Sequence, residues 1–107
     1  MSEARTPSFT FLAVADLRAI CDAIALPTDM WGVTAAPNLA RAREFADTFA
    51  RHCELLAAHA DMGADRGELL HGLRSSPFQR YTIFYRTRGD MVEVVRVLRG
   101  ASDAILG

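Results

Sequence analysis

Residues 70–106 read LLHGLRSSPFQRYTIFYRTRGDMVEVVRVLRGASDAIL, and this stretch decides the fold. It contains two runs, residues 81–86 and 91–99, that are rich in the Tyr, Thr, Ile, Phe and Val side chains favoured on a half-buried strand. Residues 87–90, Thr-Arg-Gly-Asp, separate the two runs. A short connection that contains glycine is typical of a hairpin, so the two runs are predicted to pair antiparallel.

Pairing across this turn is predicted to set Tyr85 opposite Val92 and Ile83 opposite Val94. Side chains alternate along a strand, so these four side chains share one face of the predicted sheet. A face this apolar has to be covered, and the residues before it supply amphipathic helices that can do so.

The first helix is predicted to begin at Phe11, where the apolar period becomes helical, and Thr10 can cap it. Pro27 should end it at Leu26 or before, because a proline disfavours the helical conformation of the preceding residue. The apolar stripe of this helix consists of Val14, Leu17, Cys21 and Ile24, with Ile20 beside it.

A second, longer helix is predicted from a cap at Asn38 to about residue 60. Apolar side chains recur there at alternating spacings of three and four, which is the pattern of one helix face. The stripe consists of Leu39, Ala42, Ala46, Phe49, Cys53, Leu56 and Ala60, widened by Phe45. Residues 27–37, bounded by two prolines, are predicted to link the two helices.

Two further strands and a turn complete the predicted sheet. Residues 7–9 can end a short edge strand, residues 69–73 offer a third strand, and residues 75–77, Ser-Ser-Pro, should turn into the hairpin. The predicted fold is α+β, in the order β-α-α-β-β-β, with a two-helix hairpin packed on one face of an antiparallel sheet. The 107 residues suit one domain, with a frayed N-terminus at residues 1–6 and a short tail at residues 101–107.

Charge and composition argue against several classes of function. The formal net charge is −1, which argues against a general nucleic-acid binder. The N-terminus lacks the apolar run of a signal peptide, and no apolar segment approaches the roughly 20 residues that span a bilayer. We therefore expect a cytoplasmic protein without membrane contact. Cys21 and Cys53 fall on apolar helix faces, which favours two buried thiols over a disulfide.

The chain also lacks common enzyme motifs. It has no glycine-rich phosphate loop, no GxSxG and no HExxH, and its histidines have no cysteines nearby at zinc spacing. No catalytic residue, metal site or cofactor is therefore predicted.

The most distinctive chemical feature is a set of arginines on or beside the predicted strands. They are Arg74, Arg80, Arg86, Arg96 and Arg99. A guanidinium group binds carboxylates and phosphates through a rigid fork of N–H donors. The set is open to three interpretations: solvated charges at strand ends, a docking surface for an acidic protein segment, or a phosphate or RNA site.

The segments GLRSSPFQRYTIFYR (72–86) and VEVVRVLRGASD (92–103) resemble the C-terminal half of the ParE-like toxins of bacterial type II toxin–antitoxin systems, in the wider RelE/ParE superfamily. Upstream, AVADLRAI (13–20) is similar to the first helix of that family, and FADTFARHCELLAAHADMG (45–63) to the end of its second helix and the following turn. Together these segments cover most of residues 8–103.

The chain departs from the family pattern at three places. The linker at residues 27–37 is longer than the family pattern leads us to expect, Arg99 stands where many members have His, and Ala60 stands where many have Pro.

The resemblance implies a function as well as the fold. ParE toxins poison DNA gyrase, and a ParD-like antitoxin neutralises them by wrapping an acidic, partly disordered segment around the toxin, forming a hetero-oligomer. The implied partners are therefore this antitoxin and DNA gyrase, with nucleic acid contacted only through the antitoxin.

The resemblance also implies site residues, carried over by position. For polar contacts with the antitoxin they are Arg74, Arg80, Arg86 and Arg96. The candidates for an apolar antitoxin groove, some of which must instead be core, are Leu17, Ile20, Phe45 and Phe49. The residues implied to contact the target lie at the chain end and are Arg99, Ser102, Asp103 and Leu106.

Two alternative functions stay open. RelE-like relatives cut mRNA on the ribosome, which requires positive charge at the scissile phosphate and a proton-transfer group. Thr82 stands where that branch has a catalytic arginine, Ala101 falls near a second such position, and the tail after Arg99 has no Tyr, His or Lys, so enzymatic activity is not expected. The other alternative is a non-toxic member that only binds its antitoxin and helps it repress their operon.

Overall fold

The computed structural model describes residues 7–26 and 35–100. In chain order the elements of these residues are β1 (Pro7–Phe9), α1 (Phe11–Ala25), α2 (Ala35–Ala58), β2 (Ala64–Asp65), β3 (Arg74–Phe78), β4 (Tyr81–Arg88) and β5 (Met91–Arg99), with a 3-10 turn at Ala60–Met62. The predicted frayed N-terminus, most of the predicted linker and the predicted tail, with Ser102, Asp103 and Leu106, lie outside the described residues.

The strands form one sheet in the order β1-β5-β4-β3-β2, which confirms the α+β class and the predicted order of helices and strands. β1 runs parallel to β5, with Pro7 beside Val92 and Phe9 beside Val94, whereas the other neighbouring strands are antiparallel. The prediction of a purely antiparallel sheet is therefore wrong. A three-residue strand shows the same alternation in both directions, so its own sequence does not encode its direction.

The central hairpin forms with a tighter turn than predicted. Arg88 pairs with Met91, so only Gly89 and Asp90 connect β4 to β5, and Gly89 has a φ of 57°. Glycine reaches positive φ without a steric penalty, which lets a two-residue turn close the hairpin.

The register of this hairpin differs from the predicted one by two residues near the turn and by three beyond a bulge in β5. Tyr85 pairs with Val94, where Val92 had been predicted, and Ile83 pairs with Val97, where Val94 had been predicted. A shift of two leaves each side chain on its original face, because side chains alternate with a period of two, and the extra residue of the bulge accounts for the third position. Ile83, Tyr85, Val92 and Val94 are each 0% exposed, which confirms the predicted apolar face.

The predicted positions of the third strand and the turn before the hairpin are wrong. Residues 69–73 form a turn, and the Ser-Ser-Pro segment at residues 75–77 lies inside β3. The exposed Pro77 pairs with Thr82 on β4 and lies past the end of the two-residue β2. The missing N–H of a proline is tolerated at such an open edge, so the proline does not break the strand.

α1 begins where predicted, and Thr10 caps it. The Ala13 N–H donates to the Thr10 hydroxyl at 3.1 Å. The predicted stripe is shifted, because Val14 is 44% exposed while Ala13 is fully buried. Leu17, Ile20, Cys21 and Ile24 are partly buried and pack against the core, as the rest of the stripe predicted.

α2 begins three residues earlier than predicted, at Ala35, so the prediction of a cap at Asn38 is wrong. The Asn38 side chain is buried and donates through Nδ2 to the Leu26 carbonyl at 2.8 Å, which ties the start of α2 to the end of α1. Leu39 is 49% exposed and falls outside the stripe. The buried residues of the helix and its following turn are Ala42, Phe45, Phe49, Cys53, Leu56, Ala57 and Ala60.

The core lies between the two helices and one face of the sheet. Side chains of α2, above all Phe45, Phe49 and Leu56, meet Phe78 of β3 and the apolar face of the hairpin. Phe45 and Phe49 each contact Phe78 edge to face, at centroid distances of 5.5 and 5.6 Å. This burial places both helices on one side of the sheet and so determines which sides of the helices and strands remain exposed.

Candidate functional site

A β-bulge in β5 creates the docking site for α1. Phe84 pairs with Arg96 and Tyr85 with Val94, so Val95 has no partner on β4. The Thr10 hydroxyl donates to the Val95 carbonyl at 2.8 Å, and the Thr10 N–H donates to the Val94 carbonyl at 3.0 Å. A bulge releases backbone groups from the strand ladder, and here the first residue before α1 bonds to them.

Asp16, one turn further along α1, makes a second attachment. Its carboxylate accepts two hydrogen bonds from the Arg96 guanidinium, one from Nε at 2.7 Å and one from Nη2 at 3.0 Å. It also accepts a hydrogen bond from the Val97 N–H at 3.0 Å. The hydrogen bond to Asp16 raises the pKa of Arg96. α1 is thus held to the edge of the sheet by polar contacts as well as by apolar packing.

The other side of α1 presents apolar side chains to solvent. Phe11 is 84% exposed, Leu12 52% and Val14 44%, and Phe9 just before the helix is 38% exposed. We refer to Phe9, Phe11, Leu12 and Val14 as the α1 patch. These four residues lie on either side of Thr10 and in the first turn of α1, where the helix is hydrogen-bonded to β5. Neighbouring exposed apolar side chains of this kind are typical of a protein-binding surface.

The small number of charged residues in α1 already indicates this patch. α1, FLAVADLRAICDAIA, carries only Asp16, Arg18 and Asp22 as charged residues. A helix that is apolar on most sides can bury only one of its faces against the sheet, so its other apolar side chains stay exposed unless something else binds them.

Three of the five strand arginines are engaged within the chain. Arg96 is bound to Asp16 as described above, and Arg86 donates from Nε to Glu93 at 3.0 Å. Arg74 donates to the Gly63 carbonyl at 2.8 Å and to the Asp61 carbonyl at 3.4 Å. The first role of these three side chains is therefore to hold the fold together.

Arg80 and Arg99 differ from these three. Both are exposed, and neither forms an ion pair within residues 7–26 and 35–100. Of the five strand arginines, these two are available to an external anion without loss of an internal bond. The sequence cannot show this difference, because the internal partners lie far away along the chain. Arg80 was predicted to contact the antitoxin and Arg99 the target, and both remain predictions.

The apolar candidates also separate into two kinds. Phe45 is 6% exposed and Phe49 1%, so both belong to the core. Leu17 and Ile20 are only partly buried and lie on α1, so they remain accessible at the edge of the helix pair.

The potentially reactive side chains of the described residues are held in protected settings. Cys21 and Cys53 are free thiols, and burial raises the pKa of Cys53 to about 12, which keeps this thiol protonated. His52 Nε2 lies 3.0 Å from the Ser76 hydroxyl, and burial lowers the pKa of this histidine.

Within residues 7–26 and 35–100 no group of three or more His, Cys, Asp or Glu residues could hold a metal ion. None of the helices described there is long and apolar enough to cross a bilayer.

Comparison with known proteins gives two matches. The family model described as ParE toxin of type II toxin-antitoxin system, parDE, matches residues 8–104. A solved structure described as the chromosomal ParDE TA system from P. aeruginosa is similar in fold, with a TM-score of 0.69 and 20% sequence identity, over 94% of this chain and 100% of that chain. No curated protein matches the sequence.

Proposed function

Because the chain belongs to the ParE toxin family of type II toxin–antitoxin systems, we propose that it inhibits DNA gyrase and that a ParD-like antitoxin neutralises it. The observation that carries this proposal is the family match over residues 8–104, which includes all the described strands and helices except Pro7, the first residue of β1. Action on gyrase would place the protein in the cytoplasm.

Inhibition is proposed to depend on binding alone, with no chemical step. In the position where the nuclease branch has a catalytic arginine, the Thr82 hydroxyl donates to the Gly100 carbonyl at 2.9 Å and so braces the end of β5. His52 is hydrogen-bonded to Ser76, and its ring lies beside that of Phe78, at 5.3 Å between the ring centroids. Neither side chain is arranged as a proton donor at an open phosphate site.

The α1 patch supports the proposal of a protein partner. Three of its four apolar side chains lie on α1, which is already fixed to the sheet, and Phe9 lies at the end of β1, so a partner can bury them without rearranging the fold. Burial of apolar area contributes roughly 25 cal/mol per Å², and an antitoxin helix laid on this patch would gain that energy.

The proposal is tested with a gyrase supercoiling assay on the purified protein, with ribosome-dependent mRNA cleavage measured in parallel. We expect loss of supercoiling and accumulation of cleaved DNA, with intact mRNA. Cleaved mRNA with normal supercoiling would replace gyrase inhibition by RelE-type activity. No effect in either assay, together with tight binding of the antitoxin, would identify a non-toxic family member.

A further inference from the structure

The exposed side of α1 is apolar along the whole length of the helix. Leu12 in the first turn is 52% exposed, and Leu26, directly after the last turn, is 63% exposed. Between them Ala15, Ala19 and Ala23 are also exposed. These five residues recur at spacings of three and four, so they lie along one line of the helix surface. α1 therefore has two apolar sides, of which one packs on the core and the other faces solvent.

The order of residues along this exposed line is the same in both directions. Leu12, Ala15, Ala19, Ala23 and Leu26 are separated by three, four, four and three positions. Two copies of α1 can therefore lie antiparallel across a twofold axis at Ala19. Leu12 of one copy then meets Leu26 of the other, and Ala15 in the same way meets Ala23. A twofold interface requires such self-complementarity, because the same surface meets itself after a half turn.

The two charged residues on the exposed side are complementary in the same arrangement. Arg18 and Asp22 are both exposed, and the described part of the chain gives neither of them an ion-pair partner. With the axis at Ala19, Arg18 lies opposite position 20 of the second copy, about 3 Å along the helix from the Asp22 of that copy. An arginine side chain spans this offset, so the axis generates two ion pairs between the copies.

The composition of this side suits a second copy better than an acidic segment. It carries one positive and one negative charge, so an acidic segment gains no net attraction there, whereas an antiparallel copy matches both charges. Alanine at the centre lets the two helix axes approach closely, because the distance between packed helices depends on the side chains at their contact. The leucines at both ends then bury apolar area against each other.

We propose that, in the absence of another partner, two copies of this chain associate through the exposed side of α1, antiparallel about a twofold axis at Ala19. The helix has 15 residues and is about 22 Å long, so the contact is small and the dimer is weak and depends on concentration. The inference concerns the free chain and goes beyond the proposed function. The α1 patch shares Leu12 with this interface, so dimerisation covers part of the patch.

The test is sedimentation equilibrium of the full-length chain at concentrations up to about 1 mM, which detects dissociation constants in the micromolar range. Ala19→Glu places two like charges at the axis, and glutamate keeps the helix because its helix propensity is high. We expect this variant to raise the dissociation constant of the dimer at least about tenfold. Ala50→Glu, the same substitution at an exposed position of α2, is the matched control and should stay within about twofold of the original chain.

A charge exchange tests the antiparallel orientation, and it also serves if circular dichroism shows that Ala19→Glu does not fold. Arg18→Asp alone brings like charges together and should raise the dissociation constant by about threefold or more. The double variant Arg18→Asp/Asp22→Arg restores opposite charges across the axis and should recover the original dissociation constant. A purely structural role of the two residues within one copy would not produce this recovery.

Three results would overturn the inference. The first is an original chain that stays monomeric at every concentration. The second is a dimer that Ala19→Glu and Ala50→Glu weaken equally, because its interface would then lie elsewhere. The third is an assembly larger than a dimer, which would exclude a closed twofold contact. None of the three bears on gyrase inhibition, so the proposed function is judged separately by its own assay.

Discussion

Asp16 is the residue that fixes the position of α1 on the sheet. Replacement of Asp16 by Asn should lower the free energy of unfolding by about 1–3 kcal/mol, because Arg96 loses its charged partner and the bidentate bond is broken. The measurement is urea denaturation followed by circular dichroism. Asp22→Asn, at an exposed position of the same helix, is the matched control, and equal losses in the two variants would contradict the assigned role.

Tyr85 has a comparable role at the far end of the core. Its hydroxyl donates to the Ala60 carbonyl at 2.8 Å and accepts from the Gly63 N–H at 2.9 Å, and its close approach to Gly63 leaves no room there for a side chain. Burial is the main cause that raises the pKa of this phenol.

Tyr85→Phe should therefore destabilise the chain by about 1–3 kcal/mol, because it leaves a buried carbonyl and an N–H without their partner. Thermal unfolding checks this, with Tyr81→Phe as the control at a half-buried position on the same strand face. A Tyr85→Phe variant as stable as the control would show that the two hydrogen bonds contribute nothing.

His52 is expected to make the free energy of unfolding decrease as the pH falls, because the histidine is partly buried. Burial lowers the pKa of His52 in the folded chain below its ordinary value of 6.5, so the unfolded chain binds more protons between the two values. The contribution of His52 to the free energy of unfolding is therefore fully present above about pH 6.5 and is lost as the pH falls toward the pKa of the folded chain.

We expect His52→Gln to flatten the fall in unfolding free energy between about pH 7.5 and 5, measured by urea denaturation at each pH. His59→Gln, which makes the same substitution at an exposed position, is the matched control. An unchanged slope in His52→Gln would place the pH dependence elsewhere.

At the scale of the elements, the bulge in β5 combines two functions. It places Val94 and Val97, three residues apart, on the same buried face, at 0% and 2% exposure. It also frees the carbonyl of Val95 for Thr10, so α1 attaches where the ladder is interrupted. The first turn of α1 is thereby rigid while its apolar side chains stay exposed.

The α1 patch should consequently affect binding more than folding. Phe11→Ser and Leu12→Ser are expected to change the unfolding free energy by less than about 0.5 kcal/mol, because these side chains are exposed in the free chain. The same changes should raise solubility and weaken antitoxin binding, measured by turbidity and biolayer interferometry. Leu55→Ser, an exposed apolar position on α2, is the control. Full retention of affinity would exclude the patch from the interface.

For the whole molecule, the proposed partnership with an antitoxin predicts that the partner stabilises the folded chain. A ligand that binds only the folded chain at about 100 times its Kd raises the unfolding free energy by about 2.7 kcal/mol. The antitoxin should therefore raise the melting temperature of this chain by several degrees in differential scanning fluorimetry, and an equal concentration of serum albumin should not. An unchanged melting temperature at saturating antitoxin would contradict the proposed partnership.

Much of this architecture was predictable because it depends on local periodicity. The alternation in β4 and β5 predicted the buried face, and the three-and-four spacing around Phe49 and Cys53 predicted the face of α2 that is buried. The segment at Ser75 was predicted wrongly as a turn, since Ser and Pro are typical of turns and only the short length of β2 makes a proline acceptable there.

The sequence by itself determined the α+β class, the order of the elements, the apolar faces and the family. Only the tertiary structure decided that β1 lies parallel to β5, that Phe45 and Phe49 are core, and that Arg80 and Arg99 are unengaged while Arg96 is bound. The physical reason is distance along the chain: Arg96 meets Asp16 across 80 positions, and no local pattern encodes such a contact. Periodicity shows which face a side chain occupies, whereas its availability to a partner depends on which distant residues the fold brings to it.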